Sequence, residues 1–431
     1  MMLTKNPPLP TGPSRAPLSS QETLWVILAA LMACVAKLFC AWTTIGTNDV
    51  TSFYHFAKVI DLGGLKAAYE LGPVFNHPPL VAGFLLVIWQ IAETGVVAFP
   101  FLLRLPSILA DLAVVLVLLR FTAGRPKLRL PFGLWLVFAL SPVSFMVSGF
   151  HGNTDPIMVL WLVLAAVMCS KDSPTAAGLF LAFSLHTKAA ALIVAPVYFF
   201  FWWARGRAFR FSLTCGLVLL VGWIEPLMTC PALALKNVLG YSSYWGIWGI
   251  TYWLMMMNIP AFQSISFTNL SAEQTAVVTA LKLIIMGTIL LLAWRRRKLS
   301  DGIFTTVALA WSLFFALSPG VGSQYLVWPA CFLLFSSWRW FMVVMATSTL
   351  FQFFFYNAIN GGMPWFYGNS SAAASPLWRP WTVWPWLAFS LGLIWYWKRS
   401  GSPKLFSLET VEPDNVSAET KKTRSQAQEG V

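Results

Sequence analysis

Apolar runs of roughly fifteen to twenty residues recur along nearly the whole chain, separated by short polar stretches. The first, Leu24 to Trp42, predicts a span over about 24–43, near the ~20 residues a helix needs to cross a bilayer. It is longer than the apolar core of a signal peptide and is expected to be retained. The run over 79–93 has only about fifteen residues and carries Gln90 and Glu93, which suits an interfacial or re-entrant segment. Further spans are expected near 101–121, 131–149, 156–170, 175–187, 189–204, 211–227, 275–294, 303–318, 325–338, 340–357 and 381–397. The predicted fold class is therefore all-α, a polytopic transmembrane helical protein of about twelve spans. The expected divisions are a disordered cytoplasmic tail over 1–23, one membrane domain over 24–398 and a second disordered tail over 399–431.

Charge fixes the expected orientation. The clusters Arg120/Arg125/Lys127/Arg129, Arg205/Arg207/Arg210, Arg295-Arg296-Arg297-Lys298 and Lys398-Arg399 all fall on one side if 79–93 does not cross, and basic loops mark the cytoplasmic side. The opposite side then holds Asp49, the His151–Asp155 loop, the Leu185–Lys188 turn and all four histidines. Composition agrees with a bilayer as the main partner. The 431 residues are 58% hydrophobic and 10% charged, against roughly 25% charged in a soluble domain. Mean hydropathy is +0.68. The net charge of +13 is explained by short clusters between spans and calls for no nucleic acid. Six scattered cysteines form no ligand spacing and no disulfide framework. No internal repeat is visible.

The polar stretches on the outer side carry the candidate chemistry. Gly46-Thr47-Asn48-Asp49-Val50-Thr51-Ser52-Phe53-Tyr54-His55 follows the first span, and a short surface helix is expected over Ser52–Ile60, ended by Gly63-Gly64. Asp49 reads as a general base at the membrane surface, or as the N-cap of a helix starting near Val50. His55 and His77 are expected to line the same site. In Ser148-Gly149-Phe150-His151-Gly152-Asn153-Thr154-Asp155-Pro156, Asp155 before Pro156 suits an N-cap, while His151 and Asn153 add polar groups beside it. His186 and Lys188 close a turn where a cation can hold a phosphate or snorkel to the interface. Arg104 and Asp111 lie two helical turns apart in one span and are expected to pair. Lys37, inside the first span, either snorkels outward, the favoured expectation, or pairs with a carboxylate. Gln324 and Tyr325 open another span from the outside and can hydrogen-bond a ligand. Residues 228–274 form the longest expected outer loop, with Tyr241, Tyr244, Trp245, Trp248, Tyr252 and Trp253 as an aromatic belt or a sugar-stacking surface.

Taken in order, these stretches resemble the GT-C superfamily of membrane glycosyltransferases. The resemblance rests on Asn48-Asp49, on Phe75-Asn76-His77-Pro78-Pro79-Leu80 and on Gly149-Phe150-His151-Gly152-Asn153-Thr154-Asp155. Ser323-Gln324-Tyr325-Leu326-Val327-Trp328-Pro329 is similar to a segment of the first mannosyltransferase of glycolipid-anchor synthesis. The chain also resembles bacterial polyprenyl-phosphate-mannose-dependent mannosyltransferases. The resemblance implies transfer of a hexose, mannose among the options, from a polyprenyl-phosphate sugar to a glycan or lipid-linked acceptor on the non-cytoplasmic face of an inner or plasma membrane. It implies Asp49 as base, with His151 and Asp155 assisting, and Lys188, Arg104 and His186 toward the donor phosphate. Relatives often carry Gly-Gln-x-Asp where this chain has Gly-Asn-Thr-Asp, so the role of Asn153 stays open.

Elementary chemistry points the same way. A hydroxyl nucleophile needs a base, and a phosphodiester leaving group needs a cation. The chain has no Gly-rich nucleotide loop. No metal ligand cluster stands out, and Mg²⁺ or Mn²⁺ on the two outer aspartates is left open. The competing class is a lipid or sugar transporter or flippase, which would share the span count but more often shows internal repeats.

Overall fold

The computed structural model describes residues 17–123, 125, 128–240, 248–263, 270–299, 302–369 and 376–399. Residues 1–16 of the expected 1–23 tail, residues 400–431 of the expected 399–431 tail, the basic Lys127, and the aromatics Tyr241, Tyr244 and Trp245 lie outside the described residues.

The first helix, α1 (Ser20–Thr43), starts at a capping box: the Ser19 hydroxyl accepts from Glu22 N and the Glu22 carboxylate accepts from Ser19 N. Then come α2 (Asn48–Glu70), α3 (Pro79–Glu93), α4 (Phe99–Thr122), α5 (Phe132–Ala139) and the single turn α6 (Pro142–Ser144). After them run α7 (Asp155–Ser170), α8 (Pro174–Thr187), α9 (Ala195–Trp203), α10 (Ala208–Thr229), α11 (Pro231–Gly240) and α12 (Gly249–Met256). The last are α13 (Ala272–Arg296), α14 (Ile303–Leu317), α15 (Ala330–Ser336), α16 (Trp338–Asn360) and α17 (Val383–Arg399). Proline sits in the first turn of α3, α4, α7 and α8, where its missing N–H costs nothing.

The described residues are all-α apart from one short pairing. Six of the described segments are long and apolar enough to cross a membrane: Ser20–Thr43, Phe99–Thr122, Phe132–His151, Ala208–Thr229, Ala272–Arg296 and Trp338–Asn360. Pro79–Glu93, Asp155–Ser170 and Ile303–Leu317 are shorter apolar helices. Large apolar side chains such as Met32, Phe39, Phe209, Val221 and Leu283 stand exposed on these segments, as a lipid solvent requires. Two main cores lie beneath, with smaller clusters beside them. The larger joins α1, α4, α7, α8, α9, α14, α15 and α16. The smaller gathers Val50, Phe53 and Phe56 of α2, Leu85 of α3, Leu103 of α4 and Val238 of α11 into a separate layer.

Several expected spans are subdivided. The run over 131–149 breaks at Leu140–Ser141 because Pro142 cannot continue the ladder. Its far end becomes a π turn, Phe145–His151, closed by Gly152 at φ 82°. The run over 189–204 opens as a 3₁₀ segment, Ala189–Ile193, before α9, and 325–338 divides into Ser323–Val327 and α15. The expected short helix over Ser52–Ile60 is longer: α2 begins at Asn48, and its backbone leaves helical geometry at Gly64 (φ 72°) before resuming.

Two intramembrane charges also differ from expectation. Lys37 does not snorkel; it is 3% exposed, and its Nζ donates to Asp111 Oδ2 at 2.7 Å and to Ser144 Oγ at 2.6 Å. The packing of α1 on α4 supplies a carboxylate inside the bundle, which is closer than the interface. Arg104 consequently does not pair with Asp111. Its guanidinium donates instead to the Thr44 hydroxyl at 2.9 Å and to the carbonyls of Ala41, Thr44, Gly149 and Pro100. A fork of five N–H donors matches the carbonyls left over at the end of α1 and in the π turn. Arg104 thus ties α1 to the segment carrying His151.

Candidate active site

Asp49 reaches its position through the backbone on both sides. Gly46–Thr47 forms β1, paired in parallel with Tyr367–Gly368 (β2), and Ile45 N donates to Phe366 O at 3.0 Å. The Thr47 hydroxyl donates to His151 O at 2.8 Å and accepts from Asp49 N at 3.3 Å. Thr47 is therefore the N-cap of α2, and the Asp49 carboxylate is released from capping.

That carboxylate is held by two side chains. Its Oδ2 lies 3.0 Å from His151 Nε2 and accepts from Asn153 Nδ2 at 2.7 Å. Asn153 Oδ1 accepts from Thr154 N at 2.7 Å, which fixes the amide with its N–H groups toward Asp49. His151 Nδ1 lies 2.9 Å from the Tyr356 hydroxyl of α16. A carboxylate at Nε2 requires the proton there, so Nδ1 accepts from Tyr356. The Asp49 side chain stays about one-quarter exposed, at 25%, while His151 is buried. Burial alone would raise the Asp49 carboxyl. The His151 ring, the Asn153 amide and the Lys188 charge outweigh it and hold the group below its ordinary value. Asp49 is thus an oriented carboxylate.

Lys188 is set by a break between helices. It follows α8 with extended backbone (φ −157°, ψ 128°), and its Nζ meets both oxygens of Asp155, at 2.9 and 2.8 Å. Asp155 is fully buried, and its Oδ1 also accepts from Trp328 Nε1 at 2.5 Å. The ammonium lies 4.9 Å from the Tyr325 ring centre and 5.7 Å from that of Trp328. Asp155 opens α7 but its oxygens are taken by this pairing, and Thr154 stands at the N-cap.

Asp49 and Lys188 face one cavity of about 710 Å³, within the range of sites that bury a drug-sized ligand. Its polar wall also carries His77, Asn153, Gln324 and Tyr325. Its apolar wall comes from α2, the Ala189–Ile193 segment, α11, α13 and α14. His77 packs on Phe53 and Phe75, with ring centres at 4.8 and 5.7 Å. Burial first, then the nearby Lys188 charge, lowers its pKa to about 3, so it is a neutral group.

Five expected site residues do not line this wall: His151 and Asp155 each bond one of its charged residues without lining it, and Arg104, His186 and His55 lie elsewhere. Arg104 is saturated by the carbonyls named above. His186 is wedged between α8 and α10, with Nε2 3.0 Å from Val218 O and its ring against Gly222, where even a Cβ would come within 2.1 Å of it. His55 is exposed on α2, beside Phe56. Conversely, Tyr356, Trp328 and Lys282 belong to the site without having been singled out. Trp328 lay within the quoted Ser323–Pro329 stretch, whereas Tyr356 and Lys282 sit in apolar runs that give no local sign of a polar neighbour.

The aspartates do not fit a shared divalent cation. Both Asp155 oxygens are engaged by Lys188 and one also by Trp328, and Asp49 Oδ2 already accepts twice. Among the described residues, no group of three or more His, Cys, Asp or Glu gathers as a ligand set.

Gly152 gives a direct check on the loop. It is left-handed at φ 82°, and a Cβ there would meet Val50 Cγ2 at 2.4 Å. Gly152→Ala is expected to destabilise the protein by about 1–3 kcal/mol from backbone strain alone. It should also separate Asn153 from Asp49. Gly133→Ala, in α5 with open space around it, should not lower the melting temperature. Equal melting of both variants would show that the loop tolerates another conformation.

Compared with known proteins, the chain matches no protein-family model and no curated protein.

Proposed function

We propose that this chain is an integral membrane glycosyltransferase of the GT-C type, with about twelve spans. In this reading it moves a hexose, mannose among the options, from a polyprenyl-phosphate sugar to an acceptor hydroxyl on the non-cytoplasmic face of an inner or plasma membrane. The acceptor is a glycan or a lipid-linked saccharide. The observation that carries the proposal is one cavity holding an oriented carboxylate, Asp49, and a cation, Lys188, against an apolar wall. A transporter needs no base oriented by two neighbours.

The step follows from these parts. The acceptor oxygen attacks the anomeric carbon of the donor while Asp49 takes its proton. The anomeric C–O bond to phosphate breaks, and the bonding pair leaves with the polyprenyl phosphate. Lys188 offsets the charge that develops on that leaving group. One displacement from the face opposite the leaving group inverts the anomeric configuration. His151 and Asn153 hold Asp49 in register, so little reorganisation accompanies proton transfer.

The test is transfer by purified protein from a polyprenyl-phosphate hexose, without any ion gradient, followed across pH. Transfer is expected, with kcat/KM flat between about pH 5 and 8 and falling only as pH drops below the ordinary aspartate value of ~3.9. The sign follows from the depressed Asp49 pKa: the base form exists above it and is lost as pH falls through it. A half-maximal point near pH 6.5 would assign the base to a histidine instead. Flux of sugar lipid across vesicles with no transfer would favour a flippase.

A further inference from the structure

One face of α13 supplies a cation to the cavity. Thr275, Val278, Lys282, Ile285 and Met286 all line it, spaced as a single helical stripe. Lys282 is half-buried and lies eleven residues into a helix whose neighbouring positions are Leu281, Leu283 and Ile284. A lysine inside so apolar a segment is costly, and here it borders the cavity that Asp49 and Lys188 face. The cavity needs a second cation for an anionic lipid. Lys188 is already matched by Asp155 at 2.9 and 2.8 Å, and Asp49 adds a negative charge to the same wall.

We propose that Lys282 is a second anchor for the phosphate of a polyprenyl-phosphate ligand, and that the isoprenoid chain leaves along Ile285 and Met286. This rests on the glycosyltransferase reading. It adds the placement of the donor: the head group lies between α13 and the Lys188 break, and the tail runs along α13 toward its basic end, Arg295 and Arg296. The Lys282 ammonium provides the charge and hydrogen bonding for a phosphate oxygen. The side chains one turn on, Ile285 and Met286, provide only apolar contact.

The experiment measures binding of a polyprenyl monophosphate, which has the head group and tail but no sugar, to the purified full-length protein in detergent. Lys282→Met is expected to weaken binding about tenfold, the usual effect of losing a charge-assisted contact. Lys282→Gln should do the same, and Lys282→Arg should stay within about threefold of wild type. Binding of the corresponding phosphate-free isoprenol should not change in any variant. Melting of each variant is measured beside binding, so that a fold defect is told apart from a lost phosphate contact. Wild-type affinity in Lys282→Met and Lys282→Gln overturns the assignment while leaving the donor reading intact. A wild-type protein that ignores the probe overturns both.

Discussion

Asp49→Asn is expected to lower the turnover of sugar transfer about 10²–10⁴-fold, the usual cost of losing a general base. The fold should be retained, for three reasons. Asparagine has nearly the volume of aspartate. The N-cap of α2 is Thr47, which the substitution leaves in place. The new amide can still present its oxygen to Asn153 Nδ2, which now reaches Oδ2 at 2.7 Å. What disappears is the negative charge that draws the proton to His151 Nε2, along with any capacity to accept a proton from an acceptor hydroxyl. The measurement is turnover at matched protein level, with melting as the control. Near wild-type turnover would remove Asp49 from the reaction and send the search for a base to His151. A loss of melting equal to that of Asp49→Ala would mean the carboxylate mainly holds His151 and Asn153 in place.

Much of this site was legible because polar residues are rare in the chain. Asp49, His77, Asn153, Lys188, Gln324 and Tyr325 stand at boundaries between apolar runs, and the fold brings all six to one cavity. His151 and Asp155 stand at such boundaries too, and each grips one of the cavity's charged residues. Boundary position does not reveal which way a side chain turns. His186 and Lys188 are two residues apart, yet one packs against α10 and the other faces the cavity, because the helix ends between them. Pairing across the bundle was harder still. Lys37 and Asp111 are 74 positions apart, and His151 and Tyr356 are 205 apart. Helices that are apolar nearly all round carry little pattern to set their rotation about the axis, so their partners follow from packing. The breaks at Pro142 and at Lys188 also shorten runs that read as uniform spans. Those breaks present His151 and Lys188 to the site.

Lys188→Ala is expected to destabilise the protein by ~3–5 kcal/mol, because it strips the partner from a fully buried carboxylate. Trp328 Nε1 would remain as the donor to Asp155, and a single neutral N–H does not balance that charge. Lost transfer in this variant therefore does not by itself report contact with a phosphate. The double variant Lys188→Met/Asp155→Asn separates the two roles. It removes both charges, keeps an oxygen at position 155 for Trp328, and fills the space of the lysine stem. Replacing a whole buried pair is often close to neutral for stability, so melting should return to within about 1 kcal/mol of wild type. Transfer should not return. If Lys188 offsets charge on the departing phosphate, its absence costs tenfold or more, the effect expected for a charge-assisted contact of ~1.5–3 kcal/mol. Asp49 would also lose a cation that helps to hold its pKa down, so the acid limb of the pH profile should move upward in the double variant. Wild-type transfer with restored melting would make Lys188 and Asp155 a structural pair that closes the cavity wall, and would leave the leaving-group charge to α13.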